Sequence, residues 1–233
     1  MIDQKRLSGN LSAIHDRINA AELKAGRAMG SVDLLCVSKT VSTEHLRAAY
    51  SCGETKFGEN RVQEILIKQD ELDDLSLEWH LIGQLQTNKV RQIIQRVSLI
   101  HSLDRLSLAE EIERQAQKQG TGKIRCLVEV NVALEATKAG INIDQTEMFI
   151  ASMHQFPSLS IAGLMTVAPP SSDPEEIRPF FRELSTIYSR IQSYNWSWAP
   201  FEVLSMGMSN DFEVAIEEGS NLVRLGTAIF GNR

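Results

Sequence analysis

The sequence predicts an α/β fold, a single (β/α)8 barrel of the TIM type with an extra N-terminal helix. Three observations support this prediction. Short apolar runs of strand length alternate about eight times with stretches of helical periodicity along the 233 residues. The spacing is roughly 27 residues per strand–helix unit, a normal size for a barrel repeat. No low-complexity segment or long linker interrupts the alternation, so we expect one domain over residues 1–233.

A doubly wound open sheet is the structural alternative, because it shows the same alternation of strands and helices. Such a sheet usually carries a glycine-rich phosphate loop, G-x-G-x-x-G, after its first strand. Here Lys39 and Thr40 occupy that position, and the pattern does not occur anywhere in the sequence. We therefore expect a closed barrel.

The predicted elements begin and end at conventional signals. A first helix over about 3–28 carries apolar residues three and four positions apart, and Gly30 ends it. A later helix follows Asp173, which can cap it, with Pro174 at its first position. The predicted strands cover residues 34–39, 56–60, 78–83, 98–102, 124–131, 159–167, 201–206 and 222–226. Further helices are predicted over about 89–96, 105–119, 145–154, 174–192 and 211–218.

Composition argues against several classes of partner. Hydrophobic residues make up 42% and charged residues 23%, as in globular proteins with a buried core. A net charge of −6 argues against nucleic acid, and no Lys/Arg cluster indicates a membrane surface. No apolar run reaches membrane-spanning length, and the N-terminus has no leader-like apolar region. The cysteines, Cys36, Cys52 and Cys126, are widely spaced, so we expect reduced thiols and a cytoplasmic protein.

Lys39 ends the first predicted strand and is the first candidate for chemistry. Burial at the mouth of a strand would lower the pKa of its ammonium group, and a neutral amine forms a Schiff base with an aldehyde. The alternative is that Lys39 caps the strand and extends into solvent. In a TIM barrel the active site lies at the C-terminal ends of the strands, which is where Lys39 falls.

The loops after the seventh and eighth predicted strands are rich in small and polar residues. Residues 205–210 (SMGMSN) precede a helix, and Gly226 and Thr227 directly follow a strand. Such turns and helix N-termini present N–H groups to an anion, and these two loops are the usual phosphate site of a TIM barrel. The alternative is that Ser209 or Asn210 only caps its own helix and Gly226 only makes a turn.

A lysine suited to an aldehyde, opposite a phosphate site, describes pyridoxal 5′-phosphate (PLP). Lys39 would hold the aldehyde carbon as an internal aldimine while the two loops hold the phosphate ester. Arg224 shares its side-chain direction with Gly226 in a regular strand, so it can point into the barrel toward the pyridine nitrogen. The alternative for Arg224 is an ion pair with a carboxylate such as Glu129 or Glu202.

Five segments of the sequence stand out as a set. They are residues 37–40 (VSKT), 57–60 (FGEN), 78–89 (EWHLIGQLQTNK), 205–209 (SMGMS) and 223–231 (VRLGTAIFG). Together they resemble the pyridoxal-phosphate homeostasis protein family, and the similarity extends over nearly the whole chain. The resemblance implies a barrel of the alanine-racemase N-terminal type that binds PLP and has no established turnover. It also implies a role in vitamin B6 and amino-acid or keto-acid balance.

By position, Lys39 resembles the Schiff-base lysine of that family, which implies PLP held covalently as an aldimine at Lys39. The resemblance implies a phosphate-binding set formed by Ser205, Met208, Ser209, Gly226 and Thr227. It further implies that Arg224 faces the pyridine nitrogen and that the cofactor is lined by Asn60 and Met165.

The larger racemases with this barrel carry a second domain that supplies a tyrosine base, and the sequence ends at Arg233 without one. Its three tyrosines, Tyr50, Tyr188 and Tyr194, are predicted on helices or a helix-end loop. We therefore predict a PLP carrier or buffer with no catalytic residue. We expect it to be a monomer and to deliver PLP to PLP-dependent apo-enzymes. A weak PLP-dependent amino-acid racemase is the alternative function.

A metal hydrolase is an alternative from another class. His80, His101 and Glu129 fall on the third, fourth and fifth predicted strands. No pair has a spacing typical of metal ligands such as H-x-x-x-H, and lone histidines in strands are commonly hydrogen-bonded core residues. We expect no metal site.

Overall fold

Parallel strands close into a barrel in the computed structural model, which describes residues 3–135 and 138–231. The strands are β1 Asp33–Val37, β2 Lys56–Glu59, β3 Glu78–Leu81, β4 Leu99–Leu103, β5 Ile124–Asn131, β6 Ile141–Asn142, β7 Leu159–Met165, β8 Val203–Ser205 and β9 Leu222–Leu225. The strand β1 pairs with both β2 and β9, and β4 pairs with β5, which completes the ring. Among the described strands, the short β6 pairs only with β5, so the other eight form the barrel.

Helices follow the strands in the predicted alternation. They are α1 Gln4–Lys24, α2 Thr43–Ser51, α3 Val62–Glu71, α4 Val90–Ile93, α5 Leu106–Gln119, α6 Thr146–Ser152, α7 Arg178–Gln192, α8 Phe212–Glu217 and α9 Thr227–Phe230. The side chain of Asp173 accepts a hydrogen bond from the backbone N–H of Glu175, as expected of a cap. The predicted (β/α)8 barrel with an N-terminal helix is confirmed. No helix in the described ranges is long and apolar enough to cross a membrane.

Some element boundaries differ from the prediction. The seventh predicted strand, 201–206, is only three residues long, because Phe201 has φ of +48°, which lies outside the extended region. The segment predicted as one helix over 174–192 begins with a separate 3-10 turn, Pro174–Glu176, ahead of α7. These shifts leave the order and direction of the strands unchanged.

Two apolar layers hold the barrel together. Its interior is filled by a small cluster of buried side chains: Leu35, Leu99, Leu127, Ala162, Met165 and Leu222. The residues that alternate with them point outward into a larger core beneath the helices. Because the strands are parallel, polar side chains at their C-terminal ends share one mouth of the barrel, above the interior cluster.

Candidate functional site

The C-terminal mouth of the barrel brings together all of the residues predicted to contact a cofactor. Lys39 lies two residues after β1 and Asn60 directly follows β2. Met165 and Ser205 are the last residues of β7 and β8, and their backbones are register partners. Arg224 lies in β9. The remaining predicted residues lie in the loops after β8 and β9: Met208, Ser209, Gly226 and Thr227.

Arg224 is a buried cation held in a defined orientation. Its Nη1 donates to Oγ of Ser205 at 2.7 Å and to the Ser205 carbonyl at 3.0 Å, and its Nη2 donates to the carbonyl of Thr166 at 2.7 Å. Burial lowers the pKa of the guanidinium to about 10, with Glu129 and Asp211 acting in the opposite direction. Arg224 therefore remains charged at neutral pH in the interior of the mouth.

The alternative ion-pair role for Arg224 is not what the structure shows. Glu202 pairs with Arg125 at 2.6 Å, at the opposite end of the strands. Glu129 accepts a hydrogen bond from the side chain of Gln84. Arg224 instead donates to neutral oxygen atoms. Its positive charge is therefore not neutralised by an ion pair with a carboxylate among the described residues.

The loops after β8 and β9 are joined by a hydrogen bond. The backbone N–H of Ala228, in the first turn of α9, donates to Oγ of Ser209 at 3.2 Å. The cap position of α8 is occupied by Asp211, whose carboxylate accepts from the N–H of Met208 at 2.6 Å. Ser209 therefore contacts the neighbouring loop through its side chain. The first amides of a helix have no partner within it, so this junction suits an anion.

Lys39 is exposed, so it is not buried at the mouth of the strand and extends into solvent, as in the alternative considered for it. The strand β1 ends before it, and the chain turns at Thr40, a β-branched residue with a positive φ of 62°. The N–H of Thr40 donates to the carboxylate of Glu64 at 3.1 Å, and the N–H of Val41 donates to the carbonyl of Ser38 at 2.9 Å. The turn directs Lys39 to the solvent-accessible mouth, and local hydrogen bonds stabilise a strained backbone.

A buried ion pair supports this turn from below. The carboxylate of Glu59 accepts from Oγ of Ser38 at 2.6 Å and from Nζ of Lys68 at 2.7 Å, and Lys68 also donates to the Ser38 carbonyl at 2.8 Å. Burial raises the pKa of Glu59 to about 7, although Lys68 and Ser38 oppose the shift. Lys68 was not among the residues predicted from the sequence, where its only signal is a lysine on the apolar side of a helix.

Asn60 and Gly83 pack closely at the edge of the mouth. A Cβ atom on Gly83 would overlap the backbone carbonyl oxygen of Asn60, so only glycine fits there. Asn60 itself is exposed, while Met165 is 1% exposed and belongs to the interior cluster. Of the two predicted wall residues, Asn60 is therefore placed at the rim and Met165 on the floor.

The residues considered for a metal site have other partners. Nδ1 of His80 lies 3.0 Å from Nε2 of His101, and Glu129 accepts from Gln84. Within the described part of the chain, no three potential ligands are grouped around one point. The tyrosines do not belong to the C-terminal ends of the strands: Tyr50 lies on α2, Tyr188 on α7 with its hydroxyl donating to the Phe201 carbonyl ahead of β8, and Tyr194 just after α7.

Comparisons with known proteins agree with this geometry. The family profile described as "Alanine racemase, N-terminal domain" matches residues 9–233. A protein of Aquifex aeolicus named "Pyridoxal phosphate homeostasis protein" is 46% identical over 224 residues, which cover 96% of both chains. The protein of that name from Escherichia coli K12 is 34% identical over 232 residues, covering 97% of both. The chain belongs to the pyridoxal phosphate homeostasis protein family.

Solved structures are also similar to this member of the pyridoxal phosphate homeostasis protein family. PipY of Synechococcus elongatus PCC7942, solved with PLP bound, is 34% identical with a TM-score of 0.79, covering 94% of this chain and 100% of that one. An alanine racemase of Clostridium difficile 630 is 14% identical with a TM-score of 0.76, covering 98% of this chain and 57% of that one. At such low identity the likeness to the racemase shows the fold alone.

Proposed function

We propose that this protein binds PLP at the C-terminal mouth of its barrel and acts in intracellular PLP and amino-acid or keto-acid homeostasis. The observation that carries the proposal is the arrangement of three features at one mouth. These are the exposed Lys39, the buried cation Arg224, and the junction of two loops through Ser209 and Ala228. PLP-bound PipY, at 34% identity, supports the same assignment.

Each feature matches one part of PLP. The N–H groups around Ser209, Gly226 and Thr227 would hold the phosphate, because two loop ends meet there. Arg224 would face the pyridine nitrogen, and its fixed charge would keep that nitrogen unprotonated. Met165 and Asn60 would contact the ring from the floor and the rim. When bound, PLP supplies an electrophilic aldehyde and a phosphate anion.

Lys39 would anchor the cofactor covalently. Its Nζ would form a C=N bond with the aldehyde carbon, and the aldehyde oxygen would leave as water. Water added across this bond would restore the Lys39 amine and release PLP as the free aldehyde. The exposure of Lys39 supports carriage over turnover, because an enzyme of this kind usually excludes water from its reactive centre. We infer delivery to PLP-dependent apo-enzymes by a cytoplasmic monomer.

The test of PLP binding is optical. Purified protein mixed with PLP should develop an absorption band at about 420 nm, typical of a protonated C=N link to a lysine. Lys39→Ala should abolish the band, whereas Lys118→Ala, which alters an exposed lysine on α5, should leave it unchanged. A wild-type protein that gives no band with PLP would contradict the proposal.

Carrier and racemase are separated by two further measurements. Loaded protein mixed with a PLP-dependent apo-enzyme should lose its band as the enzyme gains activity. Incubation with L- or D-amino acids should give no sustained change of optical rotation. Sustained racemisation that disappears in Lys39→Ala would replace the carrier function with an enzymatic one, and light scattering would test the monomer.

A further inference from the structure

Glu78, His80 and His101 form a hydrogen-bonded series of side chains in the barrel interior, below the proposed PLP site. His80 on β3 is 3% exposed and His101 on β4 is fully buried. Nδ1 of His80 lies 3.0 Å from Nε2 of His101, and Nε2 of His80 lies 3.0 Å from a carboxylate oxygen of Glu78. His101 follows Leu99 by two residues, and Leu99 belongs to the interior cluster, so both point inward.

The Glu78 end of this series of side chains lines a polar cavity. The cavity, of ≈ 280 Å³, lies at the N-terminal ends of the strands, where His80 and Glu78 are among its lining residues. Two ion pairs border it: Lys56 with Asp33 at 2.6 Å and Arg125 with Glu202 at 2.6 Å. Glu78 is 37% exposed on its side chain, so this end of the series is in contact with solvent.

The His101 end of the series is a buried ring nitrogen without a hydrogen-bond partner among the described residues. Nδ1 of His101 is buried and makes no hydrogen bond with any described residue. Arg224 is close enough for its charge to influence His101. Burial, then His80 and then Arg224, hold the pKa of His101 well below its usual range, so its imidazole is neutral. A neutral imidazole has one N–H and one bare acceptor nitrogen.

Hydrogen-bond polarity decides which nitrogen of His101 carries the proton. A carboxylate only accepts, so Nε2 of His80 must donate to Glu78. The hydrogen bond to His80 lowers the pKa of Glu78, as this polarity requires. When the His80 ring is neutral, its Nδ1 is an acceptor and receives the N–H of Nε2 of His101. Nδ1 of His101 is left as the bare acceptor.

We propose that Glu78, His80 and His101 form a relay along the barrel axis that fixes His101 as its Nε2–H tautomer and offers Nδ1 to a hydrogen-bond donor beneath the PLP site. The donor is an N–H or O–H group, supplied by a buried water or by the bound ligand. Glu78 and His80 are positioning residues, because they act through His101. The proposal rests on the proposed function only for the identity of the ligand.

The test is nuclear magnetic resonance of the histidine rings, in ligand-free protein and then with PLP. The chain has five histidines, and long-range ¹H–¹⁵N correlations of ¹⁵N-histidine protein distinguish the two tautomers and a charged ring. At a pH at which the same spectra show a neutral His80 ring, wild-type protein should show His101 as the Nε2–H tautomer with a hydrogen-bonded Nδ1. A shift of Nδ1 on adding PLP identifies the ligand as the donor, and an unchanged shift identifies water.

Glu78→Met removes the acceptor that sets the polarity. It should give a mixture of tautomers at His80 and His101 and weaken PLP binding about threefold to tenfold. Glu78→Gln retains an acceptor oxygen and should largely restore the wild-type tautomers. Glu202→Met removes another carboxylate of the same cavity and should leave both rings unchanged.

Three results would overturn the relay. They are a proton on Nδ1 of His101 in the wild type, an Nδ1 with the shift of a free nitrogen, or wild-type tautomers and affinity in Glu78→Met. The ring measurements on ligand-free protein do not depend on PLP. Failure of the relay is therefore distinct from failure of PLP binding, which the band at about 420 nm reports.

Discussion

At the scale of single residues, two carboxylates near the mouth, Glu59 and Glu129, have raised pKa values. Burial raises the pKa of Glu129 to about 7, and the nearby charge of Asp104 adds to the effect, while Gln84 and Arg224 oppose it. Glu129 lies opposite Met165 in the strand register, so it faces the site. The protonated form of Glu129 is thus favoured by folding.

The stability of the ligand-free protein should therefore depend on pH through Glu129. A raised pKa in the folded state stabilises the fold below the unfolded pKa, and this contribution is lost as pH rises toward 7. We expect the free energy of unfolding to fall by about 1–3 kcal/mol between about pH 4.5 and 7 from this residue. Glu129→Gln should reduce that slope in urea titrations at several pH values.

The control is Glu110→Gln, which alters an exposed carboxylate on α5. It should leave the slope unchanged. Glu59, whose pKa burial also raises to about 7, should account for the slope that persists in Glu129→Gln. An identical pH dependence in wild-type protein and Glu129→Gln would contradict the prediction.

At the scale of elements, β7 is fitted to its neighbours by a glycine. The register between β5 and β7 shifts next to Gly163, which has φ of 149°. A Cβ atom there would overlap the backbone carbonyl oxygen of Val203 in β8. Both the backbone conformation and the close approach of two strands therefore require glycine.

Gly163→Ala should consequently separate β7 from β8, and with them Met165 from Ser205. We expect a loss of about 2–4 kcal/mol in the free energy of unfolding, because backbone cannot move aside without breaking the ladder. Urea denaturation followed by circular dichroism measures it. Gly122→Ala, at a position with no atom within 4 Å of the added Cβ, should change stability by no more than about 1 kcal/mol. Equal effects of the two substitutions would refute this account of β7.

At the scale of the whole molecule, α1 ties the beginning of the barrel to its end. Glu22 is fully buried, and its carboxylate accepts from the N–H of Gly30, Oγ of Ser31 and the N–H of Val32. The side chain of Asn10 donates to the carbonyl of Ile229 in α9 at 2.9 Å. The N-terminal helix therefore holds both the entry into β1 and the helix after β9.

Glu22→Ala should destabilise the whole barrel, because it leaves three donors without their acceptor. We expect a loss of about 2–4 kcal/mol in unfolding free energy, measured by urea denaturation. Asp16→Ala, on the exposed side of the same helix, should change it by less than about 0.5 kcal/mol. At saturating PLP, the folded Glu22→Ala protein should still show the band at about 420 nm, since Glu22 lies outside the site. A stability loss no larger than that of Asp16→Ala would show that these hydrogen bonds contribute little.

The sequence was sufficient for the barrel and for the clustering at one mouth. Alternation of strands and helices dictates parallel strands, and parallel strands bring Lys39 and Arg224 to the same end. Contacts that depend on the conformation of a turn or on the register between two strands could not be predicted from the sequence. Whether Lys39 is buried depends on the turn at Thr40, and the contact between His80 and His101 depends on the register of two strands.

The pairing of β1 with β9 has a consequence for folding during synthesis of the protein on the ribosome. Lys39 follows β1, which leaves the ribosome before β9, while Arg224 and Gly226 belong to β9 and the turn after it. A nascent chain whose β9 has not yet left the ribosome has the Lys39 amine, but it lacks the Arg224 guanidinium and the loop after β9. If the proposed function is correct, tight capture of PLP should begin only after ring closure, which is a slow, long-range event. The rate at which the absorption band at about 420 nm appears should accordingly report the rate at which folding is completed.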